Sequence, residues 1–83
     1  MRLSWDEAKR TATLTHRGLD FADTSEVFAG RHFTAPDDRR DYGEPRYITA
    51  GWLDGRFLVP AWTRPDNGRR IISMRSGHVD DEA

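Results

Sequence analysis

The residues best suited to chemistry in this 83-residue chain are arginines set among aromatics. They gather late, in Trp62-Thr63-Arg64 and in Arg69-Arg70-Ile71-Ile72-Ser73-Met74-Arg75. Guanidinium groups bind phosphate in a fork and stabilise the negative charge that builds on a phosphodiester during cleavage. Aromatic rings stack unpaired bases. Tyr47, Trp62, Arg64, Arg69 and Arg75 therefore form a candidate site for an anionic, π-rich ligand, and RNA fits that description. The bland alternative is a solvated sheet face, or one covered by a helix or a partner.

Only His16, His32 and His78 could exchange protons near neutral pH. His78 follows the last expected strand, close to Arg75, and is the acid/base candidate. His16, near the end of the first expected helix, suits the helix dipole instead. The histidine spacing matches no metal motif, and there is no cysteine to supply thiolate ligands or disulfides. No metal or cofactor is expected. Asp37, Asp38, Asp41 and Glu44 alternate with Arg39, Arg40 and Arg46, a pattern of surface ion pairs in a loop. No Gly-rich phosphate loop, nucleophile elbow or zinc signature occurs.

A chain this short makes one domain and buries only about 60–65% of its unfolded surface, so its stability margin is thin. The net charge of −1 argues against nucleic acid only until its distribution is read. From Arg46 to Arg75 there are six arginines against Asp54 and Asp66, whereas residues 77–83 carry Asp80, Asp81 and Glu82 and no base. A basic sheet thus precedes an acidic tail, dividing the chain into a domain at 1–76 and a tail at 77–83. Arginine outnumbers lysine twelve to one, a ratio that composition bias explains as well as function does. No stretch is apolar for long enough to span a membrane or resembles a signal peptide, so a soluble, cytoplasmic protein is expected.

The elements that must position the arginines follow from local signals. Ser4-Trp5-Asp6-Glu7 has the form of a capping box, which predicts a helix to about Arg17 with Gly18 as its C-terminal stop. Trp5, Ala8 and Ala12 would give it a thin apolar stripe. Asp20 and Asp23 predict the start of a second helix over 21–29, with Phe21, Val27 and Phe28 buried and Gly30 ending it. A short strand at 31–34 precedes the polar loop from Ala35 to Pro45. Strands are expected over 46–53, 56–64 and 69–76, joined by Asp54-Gly55 and by Pro65-Asp66-Asn67-Gly68. The expectation is α+β, with two N-terminal helices packed on one face of a small antiparallel meander sheet.

Register can be read from the turns. Asp54-Gly55 pairs Leu53 with Arg56, Trp52 with Phe57 and Tyr47 with Trp62. The second turn pairs Arg64 with Arg69, Trp62 with Ile71 and Leu58 with Arg75. Alternation then assigns Ile48, Ala50, Trp52, Phe57, Val59, Ala61, Ile72 and Met74 to the face under the helices. Tyr47, Leu58, Trp62, Arg64, Arg69, Ile71, Ser73 and Arg75 are assigned to the other. Pro60 lies mid-strand without a donor, which predicts a bulge or a broken pair there.

With these pieces placed, the chain resembles the BrnT family, the toxins of type II toxin–antitoxin modules, whose fold is similar to that of RelE-type ribonucleases. The resemblance rests on Trp5-Asp6-Glu7-Ala8-Lys9, Arg17-Gly18-Leu19-Asp20-Phe21-Ala22 and Glu26-Val27-Phe28. It continues through Asp37-Asp38-Arg39, Tyr42-Gly43-Glu44, Arg46-Tyr47-Ile48 and Trp62-Thr63-Arg64, and ends with Arg70-Ile71-Ile72-Ser73-Met74-Arg75. It implies a metal-independent ribonuclease that inhibits translation and growth, with or without the ribosome. It also implies a BrnA-type antitoxin partner, with DNA engaged only through that antitoxin. If the chain is active, Arg75 and Arg64 are expected on the scissile phosphate, Arg70 as a secondary cation, and Tyr47, Trp62 and Arg69 on the RNA; His78, which the family pattern does not supply, is the expected acid or base. Family members continue with Lys and a basic helix where this chain has Ser76 and then acids. The alternative is therefore a catalytically attenuated relative that acts only by binding the antitoxin.

Overall fold

The Asp54-Gly55 turn organises the sheet. Both residues have positive φ, 49° and 78°, the backbone of a type I′ turn, whose twist matches that of the strands it joins. In the computed structural model, which describes residues 2–39, 41 and 43–77, this turn joins strands β3 (Arg46–Leu53) and β4 (Arg56–Thr63). β5 (Arg69–Ser76) pairs antiparallel with β4, and β2 (His32–Pro36) antiparallel with β3. The expected pairs Leu53–Arg56, Trp52–Phe57, Tyr47–Trp62 and Trp62–Ile71 are all present.

The N-terminus departs from expectation. Leu3–Trp5 is not the start of a helix but a strand, β1, which pairs parallel with β5 through Leu3–Arg69, Ser4–Arg70 and Trp5–Ile71. The sheet is therefore mixed rather than an antiparallel meander, in the order β1-β5-β4-β3-β2. Helix α1 (Glu7–Arg17) is capped by Asp6, whose carboxylate accepts from the Ala8 N–H at 2.9 Å, and not by Ser4. It ends at Gly18 with φ 69°, as its position predicts. A turn of 3₁₀ helix, Phe21–Asp23, leads into α2 (Thr24–Ala29).

Both helices lie on one face, but on the opposite one from that expected. The core joins Leu19, Phe21 and Val27 to Leu58, Trp62, Ile71 and Met74, with Leu3, Trp5, Phe28, Tyr47 and Leu53 packed around it. Sheet parity explains the error. β3 and β4 carry apolar side chains at both odd and even positions, so alternation alone does not say which face the helices take. Gly51 and Thr49 decide it. A Cβ on Gly51 would stand 2.7 Å from the Val27 side chain, so α2 can seat only because that residue is glycine. Thr49, fully buried, joins its hydroxyl to that of Thr34 and accepts from Trp62 Nε1, both at 2.8 Å.

Pro60 disturbs both neighbours, as its missing donor predicts. Pairing with β3 stops at Ile48–Ala61 and resumes at Gly51–Leu58. Pairing with β5 shifts between Ala61 and Trp62, leaving Ile72 unopposed. The shift changes parity along β5, so Ile71 and Met74, three apart, both enter the core. Ser73 and Arg75 are thereby turned to the other face, which no described helix covers and which is called helix-free below.

Candidate nucleic-acid interface

The expected site is divided between the two faces of the sheet. On the helix side, Trp62 is 4% exposed. Its ring is stacked on Tyr47 with centroids 4.8 Å apart and meets Phe28 edge-on at 5.7 Å. It belongs to the core rather than to an exposed platform for a base. Arg69 enters the same cluster, its guanidinium carbon 3.7 Å from the Phe28 centroid and 5.1 Å from that of Trp62. Burial pulls the Arg69 guanidinium below its ordinary range, and the charge of Arg64 adds to the effect. Its Nε is buried and makes no hydrogen bond among the described residues. Stacking on aromatic faces is what keeps this cation in place.

The helix-free face holds the other arginines. Arg70 pairs with Thr63 and Arg75 with Val59, both exposed and both turned away from the helices. They share this face with Trp52, Phe57, Phe33, Ile48 and Ala50. The Trp52 and Phe57 rings lie 5.2 Å apart. Arg31, just before β2, holds its guanidinium 5.8 Å from the Phe33 centroid and 5.5 Å from that of Trp52. Arginines and aromatics thus share this face, but they are not the expected set: Tyr47, Trp62 and Arg69 lie on the other side, and Trp52 and Phe57 are residues that alternation assigned to the face under the helices. Trp52, Phe33 and Arg31 were missed. The available signal was Gly51, whose lack of a side chain marks the side where a helix comes close.

Asp37 makes the expected ion pair with Arg39, but its own carboxylate is buried. The residue is 6% exposed, and its carboxylate accepts from Arg39 Nε at 2.8 Å and Nη2 at 2.9 Å. His32 faces Phe28 edge-on at 5.7 Å and bonds the Gly30 carbonyl through Nδ1. His78 lies outside the described residues. No group of three or more potential metal ligands occurs among the described residues.

The sequence matches, over residues 5–80, the model of a family described as the ribonuclease toxin, BrnT, of type II toxin–antitoxin systems. The chain belongs to the BrnT family. No curated protein matches it. Membership of BrnT brings two binding requirements to one small domain: an RNA target and an antitoxin protein. On the face away from the described helices of this BrnT chain, Phe33, Arg70 and Arg75 are exposed, whereas Phe57, Val59 and Thr63 are buried. No described helix is long and apolar enough to cross a membrane.

Proposed function

We propose that this chain is a ribonuclease toxin that binds and cleaves RNA on the helix-free face of its sheet. On this reading it slows translation and growth in the cytoplasm and is neutralised by a BrnA-type antitoxin. The supporting observation is that Arg70 and Arg75 stand exposed beside aromatic side chains on one face of a member of a ribonuclease toxin family. Arg75 binds the scissile phosphate and stabilises the charge that develops on it, and Arg70 binds a neighbouring phosphate. Trp52 and Phe33 offer apolar rings to the bases. Arg64, on the turn between β4 and β5, adds positive charge, while Tyr47, Trp62 and Arg69 act by holding that turn in place. Cleavage uses the RNA 2′-hydroxyl as nucleophile and needs no metal, with His78 as the proposed acid or base.

One observation favours a second reading. The strand residues of the helix-free face include no carboxylate and no imidazole. A chain whose base is missing would still bind RNA or antitoxin, and would act as an attenuated, regulatory relative.

Tightly controlled induction of the wild type and of Arg75→Ala, with total RNA followed over time, separates the two. The ribonuclease reading expects growth arrest with RNA decay in cells, and RNA cleavage by the purified protein that persists in chelator. It also expects a loss of roughly 10²-fold or more in cleavage rate for Arg75→Ala. Folded wild-type protein that neither arrests growth nor cleaves RNA overturns it in favour of the attenuated relative.

A further inference from the structure

β2 is an edge strand whose backbone, side chains and flanking charges are all self-complementary. The Asp37 N–H donates to the Arg46 carbonyl at 2.8 Å. Antiparallel ladder bonds are made by every second residue. Ala35 and Phe33 therefore turn their backbone groups toward β3, whereas Thr34 and His32 turn theirs away from the sheet, and Pro36 offers an outward carbonyl. His32–Pro36 contains no charged residue, and of the devices that protect natural edges it carries only its short length and Pro36 at one end. Phe33 is 55% exposed. Beside it is a shallow apolar hollow lined by Ala35, Pro36, Ile48 and Ala50.

We propose that two copies of this chain pair antiparallel through β2, about a two-fold axis at Thr34, to form one continuous sheet across both protomers. In this register Thr34 and the partner's Thr34 exchange two N–H···O bonds. Each His32 N–H donates to the partner's Pro36 carbonyl. Phe33 falls opposite the partner's Ala35, so a large ring meets a small side chain and closes the hollow next to Ile48. The flanks match in charge: Arg31 comes close to the partner's exposed Asp38, one residue beyond the buried Asp37–Arg39 pair, and the two-fold axis makes this contact twice. Moving the axis by one residue would set Phe33 against the partner's Phe33 and Arg31 against Ala35, losing both matches. The interface is isologous and closed, as two-fold assemblies require. It does not depend on the ribonuclease reading.

Sedimentation velocity from micromolar to millimolar concentration tests this. The wild type is expected to pass from monomer to dimer, with the Thr34 amide becoming protected from hydrogen exchange as it does. Thr34→Pro removes an outward N–H and leaves the β2–β3 ladder donors intact, but it also deletes the Thr34 hydroxyl bonded to Thr49. It should therefore be less stable yet folded by circular dichroism, and monomeric, whereas Thr34→Ala, which loses only the hydroxyl, should still dimerise. Arg31→Glu should weaken the dimer roughly tenfold or more by placing like charges opposite each other. Adding Asp38→Arg to it should restore pairing. A wild type that stays monomeric throughout overturns the proposal and leaves the edge to a strand of another protein. A dimer that persists in folded Thr34→Pro, or that Asp38→Arg fails to rescue, overturns it in favour of another surface.

Discussion

Thr49 shows how one hydroxyl can fix a small core. It is fully buried, it accepts from Trp62, and it shares a bond with Thr34 on the edge strand. Thr49→Val keeps the shape and removes the acceptor. It should cost about 1–3 kcal/mol, because the Trp62 N–H is then buried without a partner. Denaturant unfolding at neutral pH would measure this, and a loss below a few tenths would mean that water replaces the hydroxyl. The same residue explains part of what the sequence concealed. A threonine between Ile48 and Ala50 reads as the polar side of a strand, yet here it lies beneath a helix because two hydroxyls and an indole satisfy one another. The candidate site was misread for the same reason. Trp62 and Tyr47 are large aromatics next to arginines, and whether such rings face a ligand or a core depends on the neighbour across the sheet.

The capping of α1 provides a test at the scale of the element. Asp6 holds the N-cap, whereas Ser4 lies within β1 opposite Arg70. Asp6→Ala should therefore lower stability by about 1 kcal/mol, and Ser4→Ala should leave the helix cap intact. Thermal unfolding of the two variants side by side would decide; a larger loss for Ser4→Ala would contradict the assignment. Elements with strong local signals were legible in the sequence: both long hairpins, the glycine stop of α1, and the disturbance at Pro60. β1 was not. Three residues carry too little periodicity to announce a strand, and a parallel pairing has no turn to mark it. The capping-box pattern starting at Ser4 competed with the true cap two residues later. The face of the sheet was lost because both parities of β3 and β4 are apolar, and the bulge then exchanged sides again within β5.

For the whole molecule, acid sensitivity should be set partly by Asp20, which ties the end of the α1–α2 connection back to α1. Its carboxylate accepts from Arg10 at 2.8 and 3.0 Å and from the Ala22 N–H at 3.0 Å. The Arg10 bonds, and then the Ala22 bond, hold its carboxyl below the usual range. That stabilisation is present at pH values above the ordinary carboxylate pKa and is lost as pH falls through the lowered value in the folded state. Melting temperature should therefore fall more steeply toward acid in the wild type than in Asp20→Asn, and parallel curves would refute this. The parallel pairing of β1 with β5 has a different consequence, one of timing. Chains are made from the N-terminus, so Leu3 exists long before Arg69, the residue beside which it must lie. The last described strand, β5, both completes the sheet and carries Arg70 and Arg75. Long-range closure of this kind is slow and comes late. On the reading proposed above, a nascent copy that has not yet made β5 lacks the two arginines proposed to meet RNA, and the topology would hold back cleavage until that strand has joined β1 and β4.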